Sequence, residues 1–215
     1  MIKLLSEVAE VTGGHTFRTK AEAASGHVRL LQIKDIQEGI LTDFSALPFA
    51  DIQPEKLKIN LQTNDILLPL RGERIPAMMI VNQQSTLVTT TNQIAVIRVN
   101  SLLINPEYLY YFFNSPEGDE KISALQGGGL VVNLSLKKLL TLEIPIPLRP
   151  VQDEVIGLRK IWSEQKKTLE DLIENGTTLC HTAINRLIYR PAPSDCNDQT
   201  PDYARRHALS KRHHT

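Results

Sequence analysis

Ile144-Pro145-Ile146-Pro147-Leu148-Arg149-Pro150-Val151-Gln152-Asp153-Glu154 is where the chain changes character. Prolines 145, 147 and 150 donate nothing to a hydrogen-bonded ladder and disfavour helix in the residues before them, so the chain arrives extended and then switches. Pro150 suits a helix start. Beyond it apolar side chains recur at Val155, Leu158, Trp162, Leu169 and Leu172, with Gln165 in the one polar place, a spacing of three and four in alternation. That spacing is a coiled-coil seam rather than the broad stripe of a helix lying on a globular core. The helical pattern runs almost to Tyr189, and about forty residues of helix reach roughly 60 Å. A domain of residues 1–149, a spacer or dimerisation helix of 150–190 and a tail of 191–215 follow from this break.

The other bounds agree with a domain plus an appendage in 215 residues. Twenty-four lysines and arginines balance 24 aspartates and glutamates, so the whole chain offers no cationic field to draw it onto nucleic acid unaided. DNA binding by such a chain is local or shared with a basic partner. Two cysteines, Cys180 and Cys196, with no leader-like start and no long apolar span, point to a reducing cytoplasm and away from a membrane. Residues 191–215 are polar, aperiodic and basic towards the end, the composition of a disordered tail.

Residues 1–149 alternate short β-like runs with turn signals and predict a mixed α/β (α+β) domain with a curved sheet. Val28–Ile33, Asp65–Leu70, Met78–Val81 and Gln93–Val99 are strand candidates, the last alternating as a half-buried strand does. Gly13-Gly14 permits a bend and a close backbone approach. Asn105-Pro106-Glu107 opens a helix with Tyr108, Leu109, Phe112 and Phe113 on its apolar face. Ser135 caps a short helix, and Leu142 to Pro147 is a last strand whose prolines suit only an edge.

No catalytic constellation is legible. Asp153-Glu154 with Glu164-Gln165-Lys166 has the letters of a metal nuclease but lies on the helix, without the strand that holds such carboxylates together. Gly127-Gly128-Gly129 lacks the lysine and hydroxyl of a phosphate loop, and His15, His27 and His181 stand apart from any set with metal spacing. Cys180 reads as a small core residue. The expectation is a chain with no catalytic residue, metal or cofactor.

DNA contacts have better candidates. Arg71 and Arg74 project from a loop that follows a strand, and arginine pairs two hydrogen bonds to guanine or grips phosphate. Gln84, Thr90, Asn92 and Gln93 bring amides and a hydroxyl together without charge, which suits base edges more than bulk attraction. Arg18, Lys20 and Lys34 are candidate phosphate contacts. For each, ordinary surface polarity is the competing reading.

Several stretches resemble, in order, a target recognition domain of the DNA specificity subunit of type I restriction-modification systems. They are Gly13-Gly14-His15-Thr16-Phe17, Leu31 to Gly39, Asn64 to Leu68, Asn92 to Arg98, Pro106 to Tyr111, Asn133 to Leu139, and Ile144 to Leu148 with Gln152. The resemblance covers about residues 1–190. In that family the subunit reads the halves of a split target in double-stranded DNA, and an adenine-specific methyltransferase, with a restriction subunit as an optional third component, assembles on its helices. The family's usual chain holds two recognition domains, each followed by a long helix, and the helices pack antiparallel. One domain and one helix here imply a half-subunit that forms a homodimer through Val155, Leu158, Trp162, Leu169 and Leu172. The rival reading is a non-catalytic interaction or regulatory module that dimerises with, or mimics, a specificity subunit.

Overall fold

The computed structural model describes residues 1–72, 75–82, 86–127 and 133–189. Two units divide the chain, Met1–Ser163 and a second beginning at Glu164. In order the elements are β1 (Ile2–Leu4), α1 (Leu5–Val8), β2 (Ala9–Gly13), β3 (Glu22–Ala23), β4 (Arg29–Leu31), β5 (Gly39–Leu41), β6 (Phe49–Ala50) and β7 (Ile66–Pro69). There follow β8 (Met78–Ile80), β9 (Val88–Thr90), β10 (Ile94–Val99), α2 (Pro106–Phe113), α3 (Pro116–Leu125), α4 (Leu136–Leu139), β11 (Glu143–Pro145) and α5 (Arg149–Ile188). Short 3-10 turns occupy Ile33–Asp35 and Pro54–Lys56.

The architecture is the expected mixed α/β class with a long C-terminal helix. Its centre is a five-stranded sheet ordered β2-β10-β7-β8-β5, beside a four-stranded sheet β3-β6-β4-β9 and the pair β1-β11. Sequence alternation predicts that β10 is half buried, yet Ile94, Ala95, Val96 and Ile97 are all buried. Both sets of alternating side chains are apolar, and each meets a different core. Ala95 and Ile97 join Ile66, Leu68, Leu109 and Phe113 on one face, while Ile94 and Val96 join Leu67, Met78, Leu31 and Phe44 on the other. Strand β10 is therefore an interior wall between two cores, hydrogen-bonded to β2 on one side and β7 on the other.

Local chemistry explains the remaining elements. Asn105 caps α2 by accepting from the Glu107 amide at 3.0 Å, with Pro106 at the first helical position. Ser135 caps α4 through the Lys138 amide at 3.3 Å. Strand β11 pairs only with β1, Ile2 facing Pro145, so its prolines cost no ladder bond on an interior strand. Asp65, 1% exposed, accepts from Arg98 Nε and Nη2, both at 2.8 Å, and from the Gln62 amide at 2.8 Å, which satisfies a carboxylate buried in the wall. Burial pushes the Tyr110 hydroxyl up to about 12.

Helix α5 begins at Arg149, one residue before the expected start. In the first unit its root buries Gln152 and Ile156, and Val155 packs on the domain's own core. Val155 is thus removed from the expected seam: three-and-four spacing finds apolar positions but does not say which of them the domain claims first. Leu158 and Trp162 remain 63% and 54% exposed. In the second unit Leu169 and Leu172 are 53% and 62% exposed. Cys180 is exposed rather than a core residue. The tail 191–215 lies outside the described residues. Among the described residues, no helix is long and apolar enough to cross a membrane, and no cluster of three or more His, Cys, Asp or Glu side chains is placed to hold a metal ion.

Candidate nucleic-acid interface

Three loops and a helix start meet at one end of β7 and β10. Leu70 donates to Gln93 O at 2.8 Å, and its own carbonyl accepts from Leu134 at 2.9 Å. Gly14 and His15 lock into the same rim: Gly14 N reaches Ile94 O at 3.2 Å, His15 N reaches Thr90 O at 2.7 Å, and Asn92 N reaches His15 O at 3.0 Å. The approach is so close that a Cβ on Gly14 would lie 2.4 Å from Thr91 O, which is why only glycine fits. Gln126 Nε2 points at Gly72 O at 3.4 Å, and Arg71 and Gly127 each bridge to Asn133.

These contacts place Arg71, Asn92, Gln93, Asn133, Ser135 and Lys138 around one open depression of about 480 Å³. Arg71, Asn92, Asn133, Ser135 and Lys138 are exposed and Gln93 is half-buried, so polar ends are presented while backbone bonds hold their stems. One guanidinium, one ammonium, three amides and a hydroxyl form a set suited to base edges and phosphates together. Three of the nine expected contacts, Arg71, Asn92 and Gln93, fall here. Lys138 and Asn133, not singled out from the sequence, also line this depression, and both stand in the Asn133–Leu139 stretch that carries the family resemblance.

The other candidates separate. Arg18 and Lys20 are exposed on the segment between β2 and β3. Lys34 pairs with Glu22 at 3.1 Å, which raises its pKa. Glu22 sits below the usual carboxylate range because Gln32 and then Lys34 hydrogen-bond to it, so Lys34 stands in a surface ion pair, its charge kept and partly balanced by Glu22. Thr90 is a correction. It is fully buried and its hydroxyl donates to Leu31 O at 2.8 Å, so it fastens β9 to β4 and has no surface for a base. Arg74 and Gln84 lie outside the described residues. His15 stacks edge-on against Phe17 at 4.8 Å, and burial, with Lys58 nearby, lowers its pKa. His15 and His27, apart in sequence, line a second depression with Asp51 and Lys56. Asp153 pairs with Arg149 at 3.4 Å as part of the helix root.

The chain belongs to the type I restriction modification DNA specificity domain family, whose model matches residues 1–175. Its fold is similar to that of a type I restriction-modification system S subunit from M. genitalium, with a TM-score of 0.53 and 16% identity over 87% of this chain and 45% of that one. The HsdS subunit from Thermoanaerobacter tengcongensis gives a TM-score of 0.57 at 15% identity, over 80% of this chain and 39% of the other. A third structure, described as underlying complex assembly and conformational transition of the type I R-M system, gives 0.57 at 14% identity over 87% and 43%. The chain thus spans less than half the length of each. No curated protein matches the sequence.

Proposed function

We propose that this chain is a non-catalytic, sequence-reading DNA specificity protein, which acts on double-stranded DNA as a homodimer and directs an adenine-specific methyltransferase. A restriction subunit joins the assembly where the system also cleaves. The observation that carries the reading is the gathering of Arg71, Asn92, Gln93 and Lys138 on one depression of a specificity-domain fold. Arg71 is positioned to pair a guanine edge or a phosphate, the Asn92 and Gln93 amides match the donor-acceptor pair of adenine, and Lys138, Arg18 and Lys20 serve the backbone. Exposed Leu158, Trp162, Leu169 and Leu172 on α5 support pairing of two copies, which brings two reading domains into one assembly. Balanced charge makes this chain a weak binder alone, and the methyltransferase supplies most of the counterion release. The reading places the protein in the cytoplasm with the DNA.

Binding by the methyltransferase complex tests the assignment. Arg71→Ala and Asn92→Ala are each expected to lose roughly 1–3 kcal/mol on the preferred site and much less on random DNA. Lys20→Ala is expected to weaken both alike. Equal losses on both DNAs for Arg71→Ala and Asn92→Ala would take base reading away from this depression.

A further inference from the structure

We propose that the second depression of the recognition domain, lined by His15, His27, Asp51, Gln53 and Lys56, reads further base pairs of the same DNA half-site, with Asp51 selecting a cytosine and Gln53 an adenine. The inference rests on the DNA-reading function proposed above and adds to it bases other than those met at the first depression.

The two depressions share a wall. Asn92, which lines the first, donates its backbone amide to His15 O at 3.0 Å, and His15 lines the second. A duplex seated on the Asn92 turn therefore passes directly beside this hollow of about 540 Å³. Its backbone is held firmly. Ala50 and Ile52 line it and belong to a small core with Val28, Leu30 and Phe17. Ala50 N reaches Val28 O at 2.8 Å, Asp51 N reaches Ala21 O at 2.8 Å, and Lys56 N closes the 3-10 turn onto Gln53 O at 3.0 Å. Side chains on so fastened a segment can keep the narrow geometry that a bidentate contact to a base demands.

The polar groups of the hollow have no internal use. His27, Asp51, Gln53 and Lys56 are exposed, and among the described residues no side-chain hydrogen bond or ion pair occupies them. Gln53 stands at the capping position before Pro54, yet its amide caps nothing. His15 Nδ1 is buried without a partner. A doubly protonated ring would bury an N–H with no acceptor, so His15 is neutral, and the Asp51 carboxylate offsets the Lys56 ammonium. A phosphate seat would not carry a carboxylate that repels its ligand. Base edges present donors as well as acceptors: a carboxylate accepts from the exocyclic amine of cytosine, and a glutamine amide pairs two bonds with adenine. Lys56 and the exposed Lys58 are left for the flanking phosphates.

Binding by the methyltransferase complex, together with the methylated motif in cells, tests the inference. Asp51→Asn keeps the side chain's size and removes its charge. It is expected to lose about tenfold in affinity for the preferred site, to change little on random DNA, and to move one cytosine position of the motif towards adenine, which an amide matches. Gln53→Ala is expected to relax an adenine position. Both positions differ from those relaxed by Arg71→Ala and Asn92→Ala. Lys56→Ala is expected to weaken both DNAs alike, by about threefold. The replaced side chains are exposed, so unchanged melting temperatures are expected and separate a lost contact from a lost fold. Tighter binding of Asp51→Asn to both DNAs would make the hollow a phosphate seat and overturn base reading there. Motif positions that relax for Arg71→Ala and Asn92→Ala but not for Asp51→Asn or Gln53→Ala would overturn this inference and leave the DNA-reading function standing. Methylation that does not depend on the unaltered gene would overturn that function and this inference with it.

Discussion

Gly14→Ala is expected to lower the unfolding free energy by roughly 3 kcal/mol or more, at the upper end of what overpacking costs. A Cβ there would stand 2.4 Å from Thr91 O and 2.5 Å from Thr90 O. Both are backbone atoms of a turn fastened by His15 N to Thr90 O and by Asn92 N to His15 O, so neither moves aside without breaking the rim. The proposed DNA reading is expected to suffer as well, because the turn that must shift carries Asn92 and Gln93. Urea unfolding measures the first effect, and discrimination between the preferred site and random DNA measures the second. Gly157→Ala is the internal control. Nothing lies within 4 Å of its added Cβ, and on a helix it is expected to gain up to about 1 kcal/mol. A Gly14→Ala protein within half a kilocalorie of the unaltered chain would refute the close approach as a constraint.

Leu169→Asp is expected to raise the dimer dissociation constant about a hundredfold or more, because it sets an unpaired carboxylate on the proposed contact. Light scattering at about 20 µM is expected to give twice the chain mass for the unaltered protein and the single-chain mass for the variant, an interval that suits interfaces of ordinary strength. Val155→Asp gives the contrast. Val155 packs on the domain's own core, so its replacement is expected to destabilise the fold rather than separate two folded chains. A single-chain mass for the unaltered protein under these conditions would contradict pairing through α5.

The fold was legible where the local chemistry is self-sufficient. Prolines 145 and 147 confine β11 to an edge, and Asn105-Pro106 opens α2, whatever the rest of the chain does. Gly14 was legible as a close approach, although not its neighbour, because the Thr90–Thr91 carbonyls come from residues about seventy-five positions away. Strand β10 was misjudged on burial for a related reason: alternation distinguishes faces only when one of them is wet, and here each face has a core. The seam was legible as a pattern, but Val155 belongs to the domain because the core beside the helix root takes the first apolar position it meets.

Site residues divide in the same way. Arg71, Asn92 and Gln93 follow directly on strands or turns, and their loops converge through ladder bonds. Thr90 offered the same chemistry on paper, but a hydroxyl's use is decided by its partner, and Leu31 O lies 59 residues away in sequence. Lys138 carries no signal of its own in the sequence, and only the placement of α4 beside the depression singles it out. Gln152 was visible as part of a resemblance, while its two opposed hydrogen bonds depend on Asn105 and Pro147 arriving on either side.

The most direct test of the proposed function is the adenine methylome of cells that carry this gene with its partner methyltransferase, compared with cells in which the gene is deleted. The specificity reading predicts a split site, methylated on adenine only when the gene is present, and palindromic because two identical domains read its halves. An unchanged methylome on deletion, together with no DNA binding by the assembled complex, would contradict that reading and leave a protein-interaction role for the domain.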